Sequence, residues 1–292
     1  MTTLHTDTVI FAMSKENKPV ARAKSGDRVT FETLDCFSNT IKSESDVVSQ
    51  IDMNHVNPAT GPLFIEGALP GDTLKVTIHK ITLEERGVVI ASPGFGQFAN
   101  EVTTEETVIC QVIGETVSYK GLTLPLRKMI GVIGTAPSGD AVNTGTPDDH
   151  GGNMDTTAIT EGSILYLPVN TEGALLAMGD VHATMGDGEI MGSGLEIPAV
   201  IDVTVDVLKE CSYPLPLVET EDKWITIGSR PSMEEATKLA LDHMSQLIQD
   251  LSDLDFNQAG MLLSLAGDVV ASQLVNPNVT MRVELSKAIF EK

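Results

Sequence analysis

The chain has 292 residues, and its formal net charge of −22 repels phosphate backbones and anionic lipid headgroups, which argues against nucleic-acid and membrane partners. Its three cysteines are widely spaced and include no Cys-x-x-Cys pair, so neither a disulfide framework nor a zinc ribbon is expected. The N-terminus has no signal-peptide pattern, and no segment reaches the roughly 18 apolar residues of a membrane helix, so we expect a cytoplasmic protein.

The first two thirds of the chain predict strands separated by turns. Polar and apolar residues alternate most clearly at 28–33 and 72–83, as in a half-buried strand. Glycine precedes several of these segments, at Gly26, Gly71 and Gly162, as is typical of turns that enter strands. Further strands are predicted at residues 8–11, 63–66, 88–91, 107–112, 129–133, 163–169, 175–178 and 199–208.

The pattern becomes helical after Trp224. Ser232 and Glu235 form a capping-box pattern that begins a helix extending to about Asp250. A second helix is predicted at 258–266, and strand patterns return at 273–275 and 279–285. The expected fold is therefore mainly β with a few helices. One compact domain would cover 1–292, with sandwich- or barrel-like strands in 1–215 and helices packed on them in 230–292.

The long polar segment 134–157 contains the first candidate site. Loops of this length inside a domain are usually functional or disordered. Disorder fits poorly, because the segment contains HGGNMD at 150–155, where paired glycines lie among histidine, asparagine and aspartate. Gly151 and Gly152 would let the backbone approach a ligand, and His150, Asn153 and Asp155 would offer it nitrogen and oxygen atoms.

A second cluster follows the apolar segment 174–178. A strand there would place Asp180 and His182 on one face, because residues two apart point the same way. A turn at 186–188 would then bring Glu189 back towards them. Carboxylates and an imidazole that converge at a strand end are typical of a divalent-metal site.

Two further positions are weaker candidates. His55 lies in a loop just before a predicted strand, and Asp35 is an isolated carboxylate at the end of another. Each candidate also has a structural interpretation: His55 on a surface turn, Asp35 bonded to backbone N–H groups, and Asp180 or Asn153 as turn residues. Of the six histidines, only His55, His150 and His182 lie in loops rich in glycine, asparagine or aspartate, and this concentration favours a metal or polar-ligand site.

These segments resemble the acetamidase/formamidase family. The resemblance rests on DHGGNMD at 149–155, GDVHA at 179–183 with GDGE at 186–189, and NPATGP at 57–62 leading to EGA at 66–68 and PGD at 70–72. SLAGD at 264–268 and QLVNP at 273–277 also resemble it, so the similarity covers nearly the whole chain. Segment 37–52, beside Asp35, matches no family pattern, which leaves the substrate pocket open.

The resemblance implies a β-rich homodimer that hydrolyses formamide, acetamide or similar small neutral amides with a divalent metal, zinc and/or calcium. Our hypothesis assigns Asp35, His150, Asp155 and His182 as metal ligands. Glu189 would be the general base and then acid, with Asp180 the second choice. Asn153, the backbone of Gly151 and Gly152, and His55 would bind the substrate.

Two other interpretations of the sequence compete with this one. The first is a nucleophilic side chain: Cys36 is the only cysteine near a proposed site, but no histidine is tied to it by sequence. A serine nucleophile is no better supported, because there is no GxSxG motif. Alternatively, the chain would be a non-catalytic β-rich module in which calcium or zinc braces the long loop and a small ligand binds. Ammonia release from short amides distinguishes the enzyme from the module.

Overall fold

The structure is a computed structural model that describes residues 2–290. The first strands are β1 (Thr2–Leu4), β2 (Val9–Ile10), β3 (Ala12–Met13), β4 (Ala21–Lys24), β5 (Asp27–Thr33), β6 (Ala59–Glu66), β7 (Thr73–Leu83), β8 (Arg86–Ala91), β9 (Glu106–Ile113), β10 (Thr116–Tyr119) and β11 (Leu122–Pro125). The later strands are β12 (Met129–Gly134), β13 (Val142–Asn143), β14 (Gly151–Asn153), β15 (Ile164–Pro168), β16 (Leu176–His182), β17 (Ala199–Leu208), β18 (Leu217–Glu219), β19 (Lys223–Arg230), β20 (Asp268–Gln273) and β21 (Val279–Ser286). The helices are α1 (Met233–Leu251) and α2 (Phe256–Ala266), with 3₁₀ turns at Val48–Gln50, Met53–His55 and Lys287–Ile289.

The largest sheet has nine strands within residues 2–290, in the order β1-β5-β17-β7-β15-β18-β19-β21-β20. Its neighbours pair antiparallel except β1 with β5. The long strands β7 and β17 are neighbours in the interior of this sheet, although more than a hundred residues separate them in the chain. In each, buried side chains alternate over much of the strand with partly or fully exposed ones, as the alternation of apolar and polar residues predicts.

A second sheet, ordered β14-β12-β16-β6-β2 with β4 also on β6, lies against the first. Leu63, Ile130 and Met178 from this sheet share one buried core with Phe31 and Ile78 from the large sheet. Every residue of β12 and β16 is buried, so neither strand has a face exposed to solvent. A four-stranded sheet, β11-β10-β9-β8, extends beside them.

The helices pack on the C-terminal part of the large sheet. Ala240, Met244 and Ile248 of α1 are fully buried and share an apolar cluster with Val283 and Leu285 of β21. Gly228 of β19 permits this contact, because a β-carbon there would overlap the carbonyl oxygen of Ala236. The mainly β fold with C-terminal helices packed on strands is therefore confirmed.

The elements differ from the predicted ones in instructive places. Helix α1 begins after Ser232, whose side chain accepts a hydrogen bond from the Glu235 N–H as predicted. Helix α2 begins two residues earlier than predicted, because Asp255 and Gln258 form a reciprocal capping box. The penultimate strand is β20, displaced towards the N-terminus from the predicted 273–275. Strand β11 was not predicted, and all four of its residues are exposed.

Across residues 2–290, no helix combines the length and the apolar character needed to span a bilayer.

Candidate functional site

The central residues of the candidate site lie at the end of strand β16, inside the core. The strand pairs with β12 on one side and β6 on the other, so Asp180 and His182 at its end are nearly inaccessible to solvent. Opposite them on β12 is Gly131, where a β-carbon would overlap Asp155 Oδ1 and lie 2.6 Å from Asp180 Oδ2. Glycine at 131 therefore leaves room for two carboxylates to meet.

Three of the acidic residues at the site have left-handed backbone conformations. Their φ angles are 42° at Asp155, 56° at Asp180 and 49° at Glu189. Such conformations cost a non-glycine residue about 1–3 kcal/mol and cluster at functional sites. The surrounding strands and turns thus hold these side chains in place at the expense of local backbone strain.

Glu196 also belongs to the site, although its sequence did not predict this. The backbone of Leu195 and Ile197 hydrogen-bonds to residues flanking His182, so Glu196 lies directly across an antiparallel bridge from His182. The sequence carries one signal that was available: Glu196 is a single carboxylate between the apolar residues Leu195 and Ile197. That feature identifies a buried acid but not its partner.

The cluster formed by Asp155, Asp180, His182, Glu189 and Glu196 is almost completely buried, with each residue at most 6% exposed. His182 Nε2 lies 3.1 Å from Glu196 Oε1, 3.6 Å from Asp180 Oδ1 and 3.9 Å from Asp155 Oδ1. One donor atom each from Asp155, His182 and Glu189 also lies within 4.8 Å of the other two. We call these five residues the acidic cluster.

Many polar atoms of the acidic cluster face one another without hydrogen bonds. Asp155 Oδ1, Asp180 Oδ1, His182 Nε2, Glu189 Oε2 and Glu196 Oε2 are buried and have no hydrogen-bond partner among the described residues. Buried polar atoms in folded proteins are nearly always paired, because an unpaired one costs about 1–3 kcal/mol. This arrangement is suited to a cation that all of these atoms face.

Burial and mutual repulsion perturb the ionisation of the acidic cluster. Burial, together with the charge of Asp180, raises the pKa of Asp155 to about 6 and that of Glu196 to about 8. Burial also raises the pKa of Glu189 well above its usual range. For His182, burial lowers the pKa, but Glu196 and Asp180 outweigh burial and raise it. Four acids around one imidazole therefore require added positive charge, either protons or a cation.

Cys36 lies next to the acidic cluster. A second set of donor atoms within 4.8 Å of one another comes from Cys36, Asp180 and Glu196. Burial and then the charges of Glu196 and Asp180 raise the pKa of the Cys36 thiol. A raised pKa is the opposite of what activates a cysteine nucleophile, so the geometry does not favour the thiol route.

His150 is not among the donor atoms that converge in the acidic cluster. Its side chain is buried, and burial lowers the pKa of His150. The smaller opposing effects come from the charges of Asp148 and Asp149. Asn153 on β14 is also buried, and its backbone carbonyl oxygen accepts a hydrogen bond from the Asn276 side chain. The proposed metal-ligand role of His150 thus gains no geometric support and stays a prediction, as does substrate binding by Asn153.

The paired glycines have a packing reason. With φ angles of 94° and 85°, β-carbons at Gly151 and Gly152 would overlap the carbonyl oxygens of Ile133 and Thr146. Close approach of protein backbone thus accounts for both glycines, and their contact with a substrate stays a prediction.

The two weaker candidates lie outside the acidic cluster. His55 is exposed, and its ring Nδ1–H donates a hydrogen bond of 2.7 Å to the Asp52 carboxylate. Its ring makes a T-shaped contact with Phe11. Asp35 is buried, but its Oδ1 accepts hydrogen bonds from the N–H groups of Phe37 and Asn39. Burial raises the pKa of Asp35 to about 6. Asp35 therefore organises the turn that presents Cys36.

Comparison with known proteins extends these observations. The formamidase of Methylophilus methylotrophus is 27% identical over 251 residues, which are 65% of this chain and 62% of that protein. A putative formamidase of Schizosaccharomyces pombe is 26% identical over 63% of this chain and 60% of its own length. The match therefore spans about three fifths of the length of these relatives.

Solved structures agree over the whole chain. A crystal structure of acetamidase from Bacillus halodurans has 46% identity and a TM-score of 0.97, and the match covers 99% of this chain and 98% of that one. A crystal structure of a recombinant predicted acetamidase/formamidase from the thermophile Thermoanaerobacter tengcongensis has 44% identity and a TM-score of 0.96, and the match covers 99% of this chain and 96% of that one. The sequence pattern of the Acetamidase/Formamidase family matches residues 14–146 and 138–292, and the chain therefore belongs to this family.

Proposed function

We propose that this chain is a metal-dependent amidohydrolase that converts short aliphatic carboxamides, formamide and acetamide among them, into ammonia and a carboxylate. The observation that carries the proposal is the acidic cluster, whose unpaired buried oxygen and nitrogen atoms converge in one place. Family membership supports the reaction class, since the relatives and solved structures are named formamidase and acetamidase.

The residues present suit a divalent cation. Asp155, His182 and Glu189 would hold it, and two carboxylates with one imidazole form a donor set typical of zinc. Cys36, Asp180 and Glu196 offer a further donor set, in which the thiol also favours zinc and the carboxylates suit calcium. When bound, the cation would polarise the amide carbonyl and ease the ionisation of water.

The protein's own groups would then move the protons. Hydrolysis forms one C–O bond and breaks the C–N bond, so a proton must leave water and reach nitrogen. Glu189 is the proposed carrier, because a carboxylate can hold a cation with one oxygen and accept a proton with the other, and its Oε2 is unpaired among residues 2–290. Asp180 is the second choice, and Asn153 would hold the substrate carbonyl.

The test is metal analysis of the purified protein beside ammonia release from formamide and acetamide. We expect bound zinc or calcium, loss of ammonia release after exhaustive chelation, and recovery when one of the two metals is restored. Turnover that survives exhaustive chelation would remove the cation from the mechanism. A cation that stabilises the protein without any ammonia release would favour the non-catalytic binding module.

We further propose a homodimeric cytoplasmic enzyme, on the basis of the family resemblance and the composition. Light scattering on the purified protein at several concentrations tests the dimer, and a single monomeric mass at all of them would contradict it.

A further inference from the structure

Helix α2 has no charged residue, although the chain as a whole has a formal net charge of −22. Seven of its eleven residues are apolar, yet only Ala259 is fully buried. A helix that is apolar on all sides is normally buried on all sides. The packing of α2 within residues 2–290 therefore leaves one of its faces uncovered.

Four large apolar side chains lie on or beside this uncovered face. Phe256 is 64% exposed, Met261 60% and Leu265 85%, and Val269 in the adjoining strand β20 is 48% exposed. At roughly 150–200 Å² for a fully exposed large apolar side chain, these four present about 400–500 Å² of apolar surface. A surface of this kind marks a place of contact with another molecule.

The uncovered face has a ridge and a groove side by side. Asn257, Met261 and Leu265 follow one another at four-residue spacing, so their side chains form the ridge. Gly260 and Ser264 form the groove; both are exposed, and a β-carbon at Gly260 would meet open space. The Ser264 hydroxyl donates to the carbonyl oxygen of Gly260 at 3.2 Å, so a partner can cover the groove without leaving that donor unpaired.

The groove continues into a cavity of about 420 Å³ between α2, α1 and the edge of the large sheet. Leu241, Phe256 and Leu263 supply much of its apolar wall. Lys238 and Asp242 of α1 also line it, but they form an ion pair with each other and are about half exposed or more. The cavity is therefore an apolar recess whose charged groups lie at its rim.

These features indicate a second copy of the chain as the occupant. In a two-fold interface one patch contacts its own copy, so the patch must have both a projecting and a receiving surface. Helices pack by inserting the i±4 ridge of one into the groove of the other, and α2 has both. Two copies that each carry −22 repel each other elsewhere, whereas α2 is uncharged. The flanking Asp255 and Asp268 are exposed at the two ends of the helix, where water and salt screen them.

The area of the uncovered face is sufficient for a specific dimer. Two copies would together bury roughly 800–1,000 Å² of apolar surface, and apolar atoms make up about 60% of a typical interface, so the whole contact would bury about 1,300–1,700 Å². Specific protein–protein contacts bury about 1,200–2,000 Å² in total.

We propose that two copies of the chain associate through the uncovered face of α2, with the Met261–Leu265 ridge of each copy seated in the Gly260–Ser264 groove of the other. The proposal rests on the homodimer proposed above and names its interface. Dimer mass does not depend on turnover, so the interface can be tested whether or not the chain hydrolyses amides.

Light scattering and sedimentation over a range of concentrations measure the dissociation constant of the dimer. Leu265→Lys and Gly260→Gln should each raise it about tenfold or more, because one shortens the apolar ridge and the other fills the groove. The added lysine lowers the net negative charge, so repulsion between copies cannot explain weaker association. Gln has a higher helix propensity than Gly, so Gly260→Gln should keep the helix, and circular dichroism checks its helix content.

The matched control is Leu122→Lys, at a leucine on β11 that is 61% exposed and distant from α2 in the chain. It should leave the dissociation constant within twofold of wild type. A dimer that is unchanged in both α2 variants would overturn the interface and leave the dimer intact, whereas a wild-type protein that is monomeric at every concentration would contradict both. Dissociation in Leu122→Lys alone would assign the interface to β11 and overturn the proposal.

Salt dependence tests whether the contact is apolar. Raising NaCl from about 0.05 M to about 0.5 M screens the repulsion between two acidic copies, so the wild-type dimer should become several times tighter. A dimer that weakens over this range would be held together by charge pairs rather than by α2, and that result would contradict the proposal.

Discussion

Gly131 shows how a residue without a side chain can determine the chemistry of a site. It is buried in β12, and the space that a β-carbon would occupy holds the carboxylate oxygens of Asp155 and Asp180. Strand propensity alone disfavours glycine here, since glycine weakens strand interiors. Its presence therefore fits the requirement that the two carboxylates approach each other.

We expect Gly131→Ala to lower kcat/KM for acetamide about a hundredfold, because an added methyl group must displace a carboxylate by the order of an ångström. The matched control is Gly139→Ala, since a β-carbon at Gly139 meets open space. Activity of Gly131→Ala within twofold of wild type would show that the cluster tolerates that displacement.

Glu189 carries the second residue-scale prediction. Glu189→Gln should lower kcat for acetamide about a hundredfold to ten-thousandfold while the protein keeps its cation, because the amide cannot accept the proton. The exposed Glu172→Gln serves as a control and should behave as wild type. Loss of the cation in Glu189→Gln, measured by metal analysis, would leave the proton-carrier role unsupported, because the lost turnover would then follow from the lost cation.

The turn that carries Glu189 depends on the C-terminal strands. Arg282 on β21 is 4% exposed and donates two hydrogen bonds to Asp187, at 3.0 Å and 2.9 Å. Gly188 exchanges backbone hydrogen bonds with Ser272 and Leu274. A turn that is otherwise only a short loop is thereby fixed to the large sheet, which holds Glu189 in its strained conformation.

We expect Arg282→Ala to lower the free energy of unfolding by about 3–5 kcal/mol, because it leaves partly buried carboxylates unpaired. The control is Arg28→Ala, which removes an ion pair with Asp202 at a largely exposed arginine and should cost less than about 1 kcal/mol. Urea unfolding measures both, and equal losses in the two variants would contradict a special role for the buried arginine.

Glu284 on the same strand gives a pH-dependent prediction. Burial alone would raise its pKa, but hydrogen bonds from Lys223 and Arg282 outweigh burial and lower it below its usual 4.5. A lowered folded-state pKa stabilises the protein above the unfolded value, and this contribution is lost as pH falls through the folded value. Urea unfolding should therefore show Glu284→Gln less stable than wild type at pH 7, with the difference shrinking on acidification. A difference that stays constant with pH would contradict this assignment.

At the scale of the whole molecule, the sequence predicts where strands begin and end better than it predicts which segments pair with each other. Strands β5, β7 and β17 were predicted nearly to the residue, because each has one buried and one exposed face. Glu196 was missed because only the pairing of segment 195–197 with the end of β16 places it beside His182. Local pattern carries no information about that pairing. The structure brings His182, Asp155, Asp180 and Glu189 together, whereas His55 lies on the surface and Asp35 bonds to the backbone of its own turn. The roles assigned to all of these residues stay predictions.

The whole protein should be more stable with its cation than without it. A ligand that binds only the folded state adds about 2.7 kcal/mol at a hundred times its dissociation constant. We expect chelation to lower the free energy of unfolding in urea by that order, and restored zinc or calcium to reverse the loss. Identical unfolding curves for chelated and metal-restored protein would contradict a cation at the acidic cluster.

The acidic cluster forms only when the end of β16, the turn after it and segment 195–197 have all come together around His182. An unfolded chain keeps these acids apart in water, where each is ionised at little cost. Completion of the fold is therefore coupled to the capture of positive charge from the surroundings. A newly made chain in ion-poor surroundings would unfold locally at the acidic cluster more often. Its lifetime against proteases would therefore depend on the ions around it.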